Sequence, residues 1–338
     1  MQMRKSLTVF FTTIAGLVLS VPNVDAAELY VGSFNNDSVL RFDSKTGEFI
    51  DTFITEGAGG LDGPVALTFS PNDNNLYIIS FLSRNVLRYD GQTGVFIDEF
   101  IPTESGNLFF PQDLVFGPDT NLYLSNTGAD SINQYDGVTG EFLEEFIPNP
   151  NDTTLVNAPF GVRFGPDGKF YFSSTFTNSL LSFDPTTSTL TTLATIEEPG
   201  AFPGGITFGP DGNLYIANFG GNSISRYNFE TEKIEPFVLS IDSPVQPLFG
   251  PDGNLYVSSN STGKGITVAG SVFRFDGQTG EIIDEFIPAG TGGLDGAGWL
   301  AFSEDSVSTP EPSVSLFSSG VLLGLGLLGQ KRRQKNVP

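Results

Sequence analysis

Residues 203–228 read PGGITFGPDGNLYIANFGGNSISRYN, and the architecture of the chain follows from this segment. Its apolar residues stand mostly two or three apart in three short runs, which is the spacing of half-buried strands. Gly209-Pro210-Asp211-Gly212 separates the first two runs with turn chemistry, because Pro presets φ and Asp can bond its own backbone. The segment therefore predicts a strand, a tight turn, a strand, a polar loop and a third strand.

The same unit recurs six times along the chain. It is marked by a Leu-Tyr or Phe-Tyr pair that begins at Leu29, Leu76, Leu122, Phe170, Leu214 and Leu255. The shortest interval, from Leu214 to Leu255, is 41 residues, and the longest, from Leu122 to Phe170, is 48. A period of about 40–50 residues that carries about four strands is typical of a β-propeller. We therefore predict an all-β, six-bladed β-propeller of four-stranded blades.

The two ends of the repeat region predict how the ring closes. The first repeat lacks an innermost strand, whereas residues 292–302 (GGLDGAGWLAF) match residues 59–69 (GGLDGPVALTF) and have no second strand after them. We expect residues 297–303 to complete the blade begun by residues 28–54. This closure removes two sheet edges that would otherwise invite aggregation. An open array of β-meanders is the alternative.

Residues 1–27 have the pattern of a secretory signal peptide. Arg4 and Lys5 form a basic region, residues 7–19 form an apolar core, and cleavage is expected after Ala26 or Ala27. The apolar run is short for a bilayer-spanning anchor. We therefore divide the chain into a signal peptide (1–27), the propeller (28–305) and a C-terminal segment (306–338).

The C-terminal segment has three parts. Pro310, Glu311 and Pro312 follow a polar linker, residues 314–329 form an apolar Leu/Gly run, and residues 331–335 are mostly basic. This order resembles the PEP-CTERM sorting signal. The resemblance implies export in a Gram-negative bacterium, transient membrane anchoring through residues 314–329 and cleavage by an exosortase-type protease. The mature protein would then lie on the cell surface or in the extracellular matrix. A permanent membrane anchor is the alternative.

The region between these two segments is strongly acidic. Residues 27–309 contain 10 Lys and Arg and 37 Asp and Glu, which gives a net charge of −27. A field of this sign repels nucleic acid and anionic membranes, so neither is expected as a partner. Many of the acids fall on predicted outer strands, where we expect a solvated rim that binds Ca²⁺ at most weakly. No cofactor is expected.

The repeat NLYIAN…NSISRY resembles that of NHL-repeat propellers, and more broadly the streptogramin-lyase and calcium-dependent gluconolactonase propellers, over residues 28–303. The resemblance implies that a ligand binds where the inner strands begin. Gluconolactonase-type enzymes hold Ca²⁺ there, with several ligands just after the Pro that opens the inner strand. In this chain these positions are Val65, Gln112, Phe160, Gly204, Val245 and Gly298. None is a carboxylate, so no metal site is expected.

The residue types also restrict catalysis. The chain has no histidine and no cysteine, which excludes a histidine base such as streptogramin lyases use, Ser-His-Asp triads and thiol nucleophiles. Carboxylate chemistry remains. Asp62 and Asp295 stand in matching Gly-Gly-Leu-Asp-Gly segments, and a role as turn residues is favoured over a catalytic pair.

Aromatic and amide side chains are concentrated at the ligand face that the resemblance implies. The candidate ligand-binding residues are Gln112, Asp113, Asn126, Phe160, Asn218 and Trp299. Asp113 directly follows Gln112 and is expected to point to the other side of its strand. The last repeat adds a longer loop at residues 261–270. We expect a non-enzymatic binding or scaffold module for extracellular polysaccharide or a surface protein; the alternative is a lactonase-like hydrolase or lyase with an atypical, histidine-free site.

Overall fold

Each repeat forms a four-stranded antiparallel sheet in the computed structural model, which describes residues 27–148, 155–198, 200–260 and 270–303. Within these ranges there are six such sheets, so the predicted six-bladed β-propeller is confirmed. Blade 1 is built from β24 and β1–β3. Blades 2 to 6 are successive sets of four strands from β4 to β23.

The strand bounds show how regular the repeat is. Blades 1 to 3 contain β1 (Glu28–Ser33), β2 (Ser38–Asp43), β3 (Phe49–Ile54), β4 (Pro64–Phe69), β5 (Leu76–Ser80), β6 (Asn85–Tyr89), β7 (Phe96–Ile101), β8 (Pro111–Phe116), β9 (Leu122–Asn126), β10 (Ser131–Tyr135) and β11 (Phe142–Ile147). Blades 4 to 6 contain β12 (Pro159–Phe164), β13 (Phe170–Ser174), β14 (Ser179–Asp184), β15 (Thr189–Thr195), β16 (Pro203–Phe208), β17 (Leu214–Asn218), β18 (Ser223–Asn228), β19 (Lys233–Val238), β20 (Pro244–Phe249), β21 (Leu255–Ser259), β22 (Ser271–Phe275) and β23 (Ile282–Ile287), and β24 (Ala297–Phe302) returns to blade 1. Short 3₁₀ turns lie at Phe34–Asn36, Ala58–Gly60, Ser105–Asn107, Thr127–Ala129 and Thr291–Gly293.

The ring closes in blade 1, as the sequence predicts. β24 pairs antiparallel with β1 in the register Leu29↔Phe302, Tyr30↔Ala301 and Val31↔Leu300. β24 thereby supplies the innermost strand that the first repeat lacks, and β1 is paired on both sides. Unpaired strand edges template aggregation, so this pairing protects the start of the propeller.

The recurring Tyr explains why the blades pack together. Tyr77 of blade 2 is 1% exposed and lies edge-on to Phe100 of its own outer strand, with ring centroids 4.8 Å apart. The same ring meets Phe116 of blade 3 at 5.2 Å, and its hydroxyl donates to Asp73 in the turn below at 3.1 Å. Edge-to-face aromatic pairs add about 0.5–1.5 kcal/mol beyond their buried area. One repeated residue thus joins an outer strand, a turn and the neighbouring blade.

Several sequence predictions concern segments outside the described residues. These segments are the signal peptide up to Ala26, residues 261–269, residues 310–312 and the apolar run 314–329. Ala27 is the first described residue, and its carbonyl accepts a hydrogen bond from the Ser44 N–H at 3.1 Å. Among the described residues, no helix combines the length and hydropathy needed to cross a bilayer.

Candidate ligand-binding site

A β-bulge near the start of the inner strands shapes the central channel. In blade 3, Pro111 pairs with Asn126, but the next pair is Leu114 with Leu124, so the inner strand has one extra residue. A bulge re-aims the side chains on either side of it. As a result Gln112 and Asp113 both face the channel, and the expectation that Asp113 points to the other side of the strand is wrong.

One cavity lies where the inner strands begin, and we call it the upper pocket. It has a volume of about 310 Å³. It is lined by Phe34, Val65, Phe81, Gln112, Phe160, Thr175, Phe202, Pro203, Gly204, Phe219, Pro244, Val245, Asn260, Gly298 and Trp299. None of these lining residues is ionisable, although the surrounding domain is strongly acidic. Polar side chains come from Gln112, Thr175 and Asn260 alone in this described lining.

Trp299 forms the floor of the upper pocket. Its ring extends from β24 of blade 1 and stacks on Phe160 of blade 4, with centroids 5.5 Å apart and an angle of 29° between the planes. Blades 1 and 4 lie opposite each other in a ring of six, so these two rings together span the channel. Trp299 is 2% exposed and donates its indole N–H to Asp113 Oδ1 at 3.0 Å.

Asp113 lies below this floor and fixes its position. The carboxylate is 1% exposed and also accepts hydrogen bonds from Leu114 N–H (2.9 Å), Val162 N–H (2.9 Å) and Arg163 Nη1 (2.7 Å). Burial raises the pKa of Asp113, while the Arg163 charge and the three other N–H donors oppose that rise. A carboxylate has about four lone-pair sites, and all are used. The group holds Trp299 in place and has no free acceptor for a substrate proton.

A second cavity, the lower pocket, opens on the other side of this floor. It has a volume of about 280 Å³ and is lined by Leu67, Thr68, Phe69, Asp113, Leu114, Val115, Arg163, Gln246, Leu248, Phe249, Leu300, Ala301 and Phe302. Gln246 is 2% exposed, and its Oε1 accepts the Leu300 N–H. Arg163 is the single basic residue of this described lining.

Two phenylalanines that directly precede inner strands have a strained backbone, and one of them, Phe202, lines the upper pocket. The residue before each inner strand has a positive φ, and in the six blades it is Gly63, Phe110, Ala158, Phe202, Ser243 and Gly296. A bulky residue in this left-handed region is a true outlier, and such strain tends to persist at functional sites. Phe202 (φ 46°) lines the upper pocket and keeps 41% of its surface exposed. The strained backbone therefore presents an aromatic ring to the cavity.

The structure places the six candidate residues in three settings. Gln112, Phe160 and Trp299 line the upper pocket, and Asp113 lines the lower pocket. Asn126 and Asn218 are buried at strand ends and line neither cavity. Asn126 clamps the loop before β8, since its Oδ1 accepts from Phe109 N–H at 2.7 Å and its Nδ2 donates to the Asn107 carbonyl at 3.1 Å.

Arg163 is not among the candidate residues predicted from the sequence. The signal was present in the repeat alignment, because the equivalent inner-strand residues are Thr68, Val115, Thr207, Leu248 and Ala301, all uncharged. A charged residue at an inner-strand position that is neutral in the other five blades could have identified Arg163 as a candidate channel residue.

The carboxylates do not form a metal centre in the described part of the chain. Within those residues no three Asp or Glu side chains lie close enough together to hold a metal ion. Asp62 and Asp295 do not line either pocket. The Asp295 Oδ1 instead accepts a hydrogen bond from Asn35 Nδ2 at 3.0 Å.

Comparison with known proteins defines the class of fold. No protein-family model matches the chain, and no curated protein matches it. Among solved structures, the chain is similar to one from a nidogen/laminin complex (16% identity, TM-score 0.64, covering 82% of this chain and 99% of that one). It is also similar to a catalytically inactive virginiamycin B lyase from Staphylococcus aureus solved with quinupristin (20%, 0.53, 69% and 74%). A third similar structure is described as a candidate 6-phosphogluconolactonase from Bacteroides fragilis (18%, 0.53, 77% and 81%). At these identities the similarity shows the β-propeller fold alone.

Proposed function

We propose that this protein is a non-enzymatic binding module that is exported and sorted to the cell surface. One observation carries the binding role: the upper pocket is a preformed aromatic cavity with no ionisable side chain in its described lining. Cavities with apolar walls and a few placed polar groups are typical of ligand sites. The strained Phe202 at its rim supports the same role.

The lining favours an uncharged ligand that presents an apolar or ring-shaped group. A charge would lose its hydration in the cavity without gaining an ionic partner there. Ligand rings can pack against the exposed Phe202 and Phe219, while Gln112 and Asn260 are able to hydrogen-bond to hydroxyl or amide groups. A face of an extracellular polysaccharide or an apolar side chain of a surface protein meets these requirements.

The proposal of export and sorting rests on the two terminal sequence patterns. It includes cleavage after Ala26 or Ala27, recognition of Pro310, Glu311 and Pro312 by an exosortase-type protease, and transient anchoring through residues 314–329. Weak Ca²⁺ binding along the acidic outer strands is a secondary part of it. Replacing Pro310 and Pro312 by Ala should block removal of the C-terminal segment in the native host, as seen by mass spectrometry; unchanged processing would contradict the sorting role.

Trp299 provides a direct test of the binding role, because it is the only tryptophan in the chain. Addition of N-phenyl-1-naphthylamine, an uncharged aromatic probe, should quench Trp299 emission by energy transfer, and extracted extracellular polysaccharide should displace the probe. Phe202→Ala should weaken probe binding. Phe142→Ala, an outer-strand change at a residue of similar exposure (38% against 41%), should not. Absence of probe binding would contradict the role of the pocket.

A propeller hydrolase or lyase with a histidine-free site is the second candidate. Its support is the fold shared with the virginiamycin B lyase and with the Bacteroides fragilis protein. The lining of the upper pocket offers amide and hydroxyl groups but no acid or base, whereas hydrolysis usually needs one. Turnover of a lactone panel, together with a Ca²⁺-dependent rise in the thermal midpoint, would favour this candidate over the binding module.

A further inference from the structure

Arg163 in the lower pocket uses only part of its hydrogen-bonding capacity. Its Nη1 donates to Asp113 Oδ2 at 2.7 Å and to the Val162 carbonyl. Its Nε and Nη2 make no hydrogen bond to the described part of the chain, and the side chain is 19% exposed in the cavity. The Nε–Nη2 edge is the pair of parallel donors that matches a carboxylate.

Other arginines of this protein show what that edge does when an acid is within reach. Arg41 directs Nη1 to Glu28 at 3.1 Å, and its Nε and Nη2 hold Asp51 at 3.0 and 2.5 Å. Arg88 likewise holds Asp98 with Nε and Nη2. Asp113 accepts from Nη1 of Arg163 as Glu28 does from Nη1 of Arg41. No described residue supplies a carboxylate to Nε and Nη2 of Arg163 as Asp51 does for Arg41. Arg163 itself lines the lower pocket, so this unbonded edge is available to a ligand there.

The rest of the lower pocket is suited to an apolar group. Leu67, Phe69, Leu248, Phe249 and Phe302 contribute to its walls, in a volume of about 280 Å³. Asp113 is saturated with donors and neutralised by Arg163, so it adds little local repulsion. The −27 charge of the domain is spread over a surface that physiological salt screens within about 8 Å.

We propose that the lower pocket binds a small apolar monocarboxylate, with its carboxylate on the Nε–Nη2 edge of Arg163 and its hydrocarbon part against the apolar walls. This site is separate from the upper pocket, because no residue lines both cavities. Its occupancy therefore does not depend on the function proposed for the upper pocket.

Hexanoate and hexanamide test this site, since they match in size and differ in charge. Isothermal titration of the purified protein should show hexanoate binding about tenfold or more tighter than hexanamide. Arg163→Lys keeps the charge beside Asp113 but removes the planar fork, and should abolish most of that preference. Arg88→Lys, on the outer rim, should leave it intact. Phe202→Ala should also leave it intact, because Phe202 belongs to the upper pocket.

Four results would overturn the proposal. These are equal affinity for the two probes, no measurable hexanoate binding, a preference that survives in folded Arg163→Lys, and displacement of N-phenyl-1-naphthylamine by hexanoate. If Arg163→Lys does not fold, the unsubstituted protein still decides, because hexanoate must bind without displacing N-phenyl-1-naphthylamine from the upper pocket. Displacement would place hexanoate in the wrong cavity.

Discussion

Phe202 combines a left-handed backbone with a ring exposed to a cavity. At φ 46° a residue with a Cβ costs about 1–2 kcal/mol that glycine avoids. We therefore expect Phe202→Gly to be more stable than Phe202→Ala by about 1 kcal/mol in urea unfolding, after the chain entropy of Gly is counted. Both variants should lose affinity for the aromatic probe.

Phe219 is the matched control for this prediction. It lines the same pocket with the same exposed fraction, 41%, but its φ is not positive. Here the order should reverse, with Phe219→Gly less stable than Phe219→Ala. The same order at both positions would show that backbone strain at Phe202 has no energetic consequence.

Asp113 is the residue whose loss should cost the most stability. Asp113→Ala leaves Arg163 without its partner and removes the acceptor of the Trp299 indole. Breaking a buried ion pair from one side destabilises by about 3–5 kcal/mol. Urea unfolding should show this loss, and native Trp299 emission should shift. Asp98→Ala, which removes the partly exposed carboxylate partner of Arg88, should cost only about 1 kcal/mol; similar losses would contradict the role of Asp113.

At the scale of elements, the turns between the third and fourth strands contain an acid that stabilises them. The Thr93 hydroxyl, with the backbone N–H groups of Thr93 and Gln92, lowers the pKa of Asp90. The Thr279 N–H does the same for Asp276. A lowered pKa in the folded state stabilises the fold above the unfolded value of 3.8 and loses that effect as the pH falls through and below it.

The temperature of the thermal midpoint should therefore decrease as the pH is lowered from about 5 to about 3. Blade 5 has Asn228 at the equivalent position, where its Oδ1 accepts the Glu230 N–H at 2.9 Å without titrating. A variant carrying Asp90→Asn and Asp276→Asn should form the same turn as Asn228 does. Its thermal midpoint should decrease less than that of the parent protein over this pH range. Differential scanning calorimetry at both pH values measures the difference. Parallel pH profiles for the variant and the parent would contradict this account.

The strands were predictable because each depends on local sequence. Alternating apolar residues and turn motifs repeat six times, so a single repeat defines all blades. The site was predictable only in part, because its contacts are not local: 186 positions separate Asp113 from Trp299. The bulge after Pro111 also turns Asp113 into the channel, and strict strand alternation gives the opposite direction. Asn126 was predicted to bind a ligand because an Asn at the end of a strand looks the same in the sequence whether it faces a ligand or holds a neighbouring loop.

At the scale of the whole molecule, stability depends on the pairing of β24 with β1. A chain that ends at residue 296 lacks β24, which leaves the edge at Leu29–Val31 unpaired and removes Trp299. We expect it to aggregate, because exposed strand edges pair with one another. A chain that ends at residue 303 keeps β24 and is the control. Size-exclusion chromatography with light scattering distinguishes them, and a monomeric 296 form with an unchanged midpoint would contradict the need for closure.

The position of β24 in the chain also determines when the ring can form. The contact between Glu28 and Ser303 joins residues 275 positions apart. The ribosome makes β1 before every other described strand and β24 after all of them, so blades 2 to 6 are able to assemble before blade 1 is complete. Contacts at such long sequence separation form slowly. We therefore expect blade 1 to be the last unit to fold, which leaves the inner edge of β1 at residues 29–31 unpaired until β24 has been made.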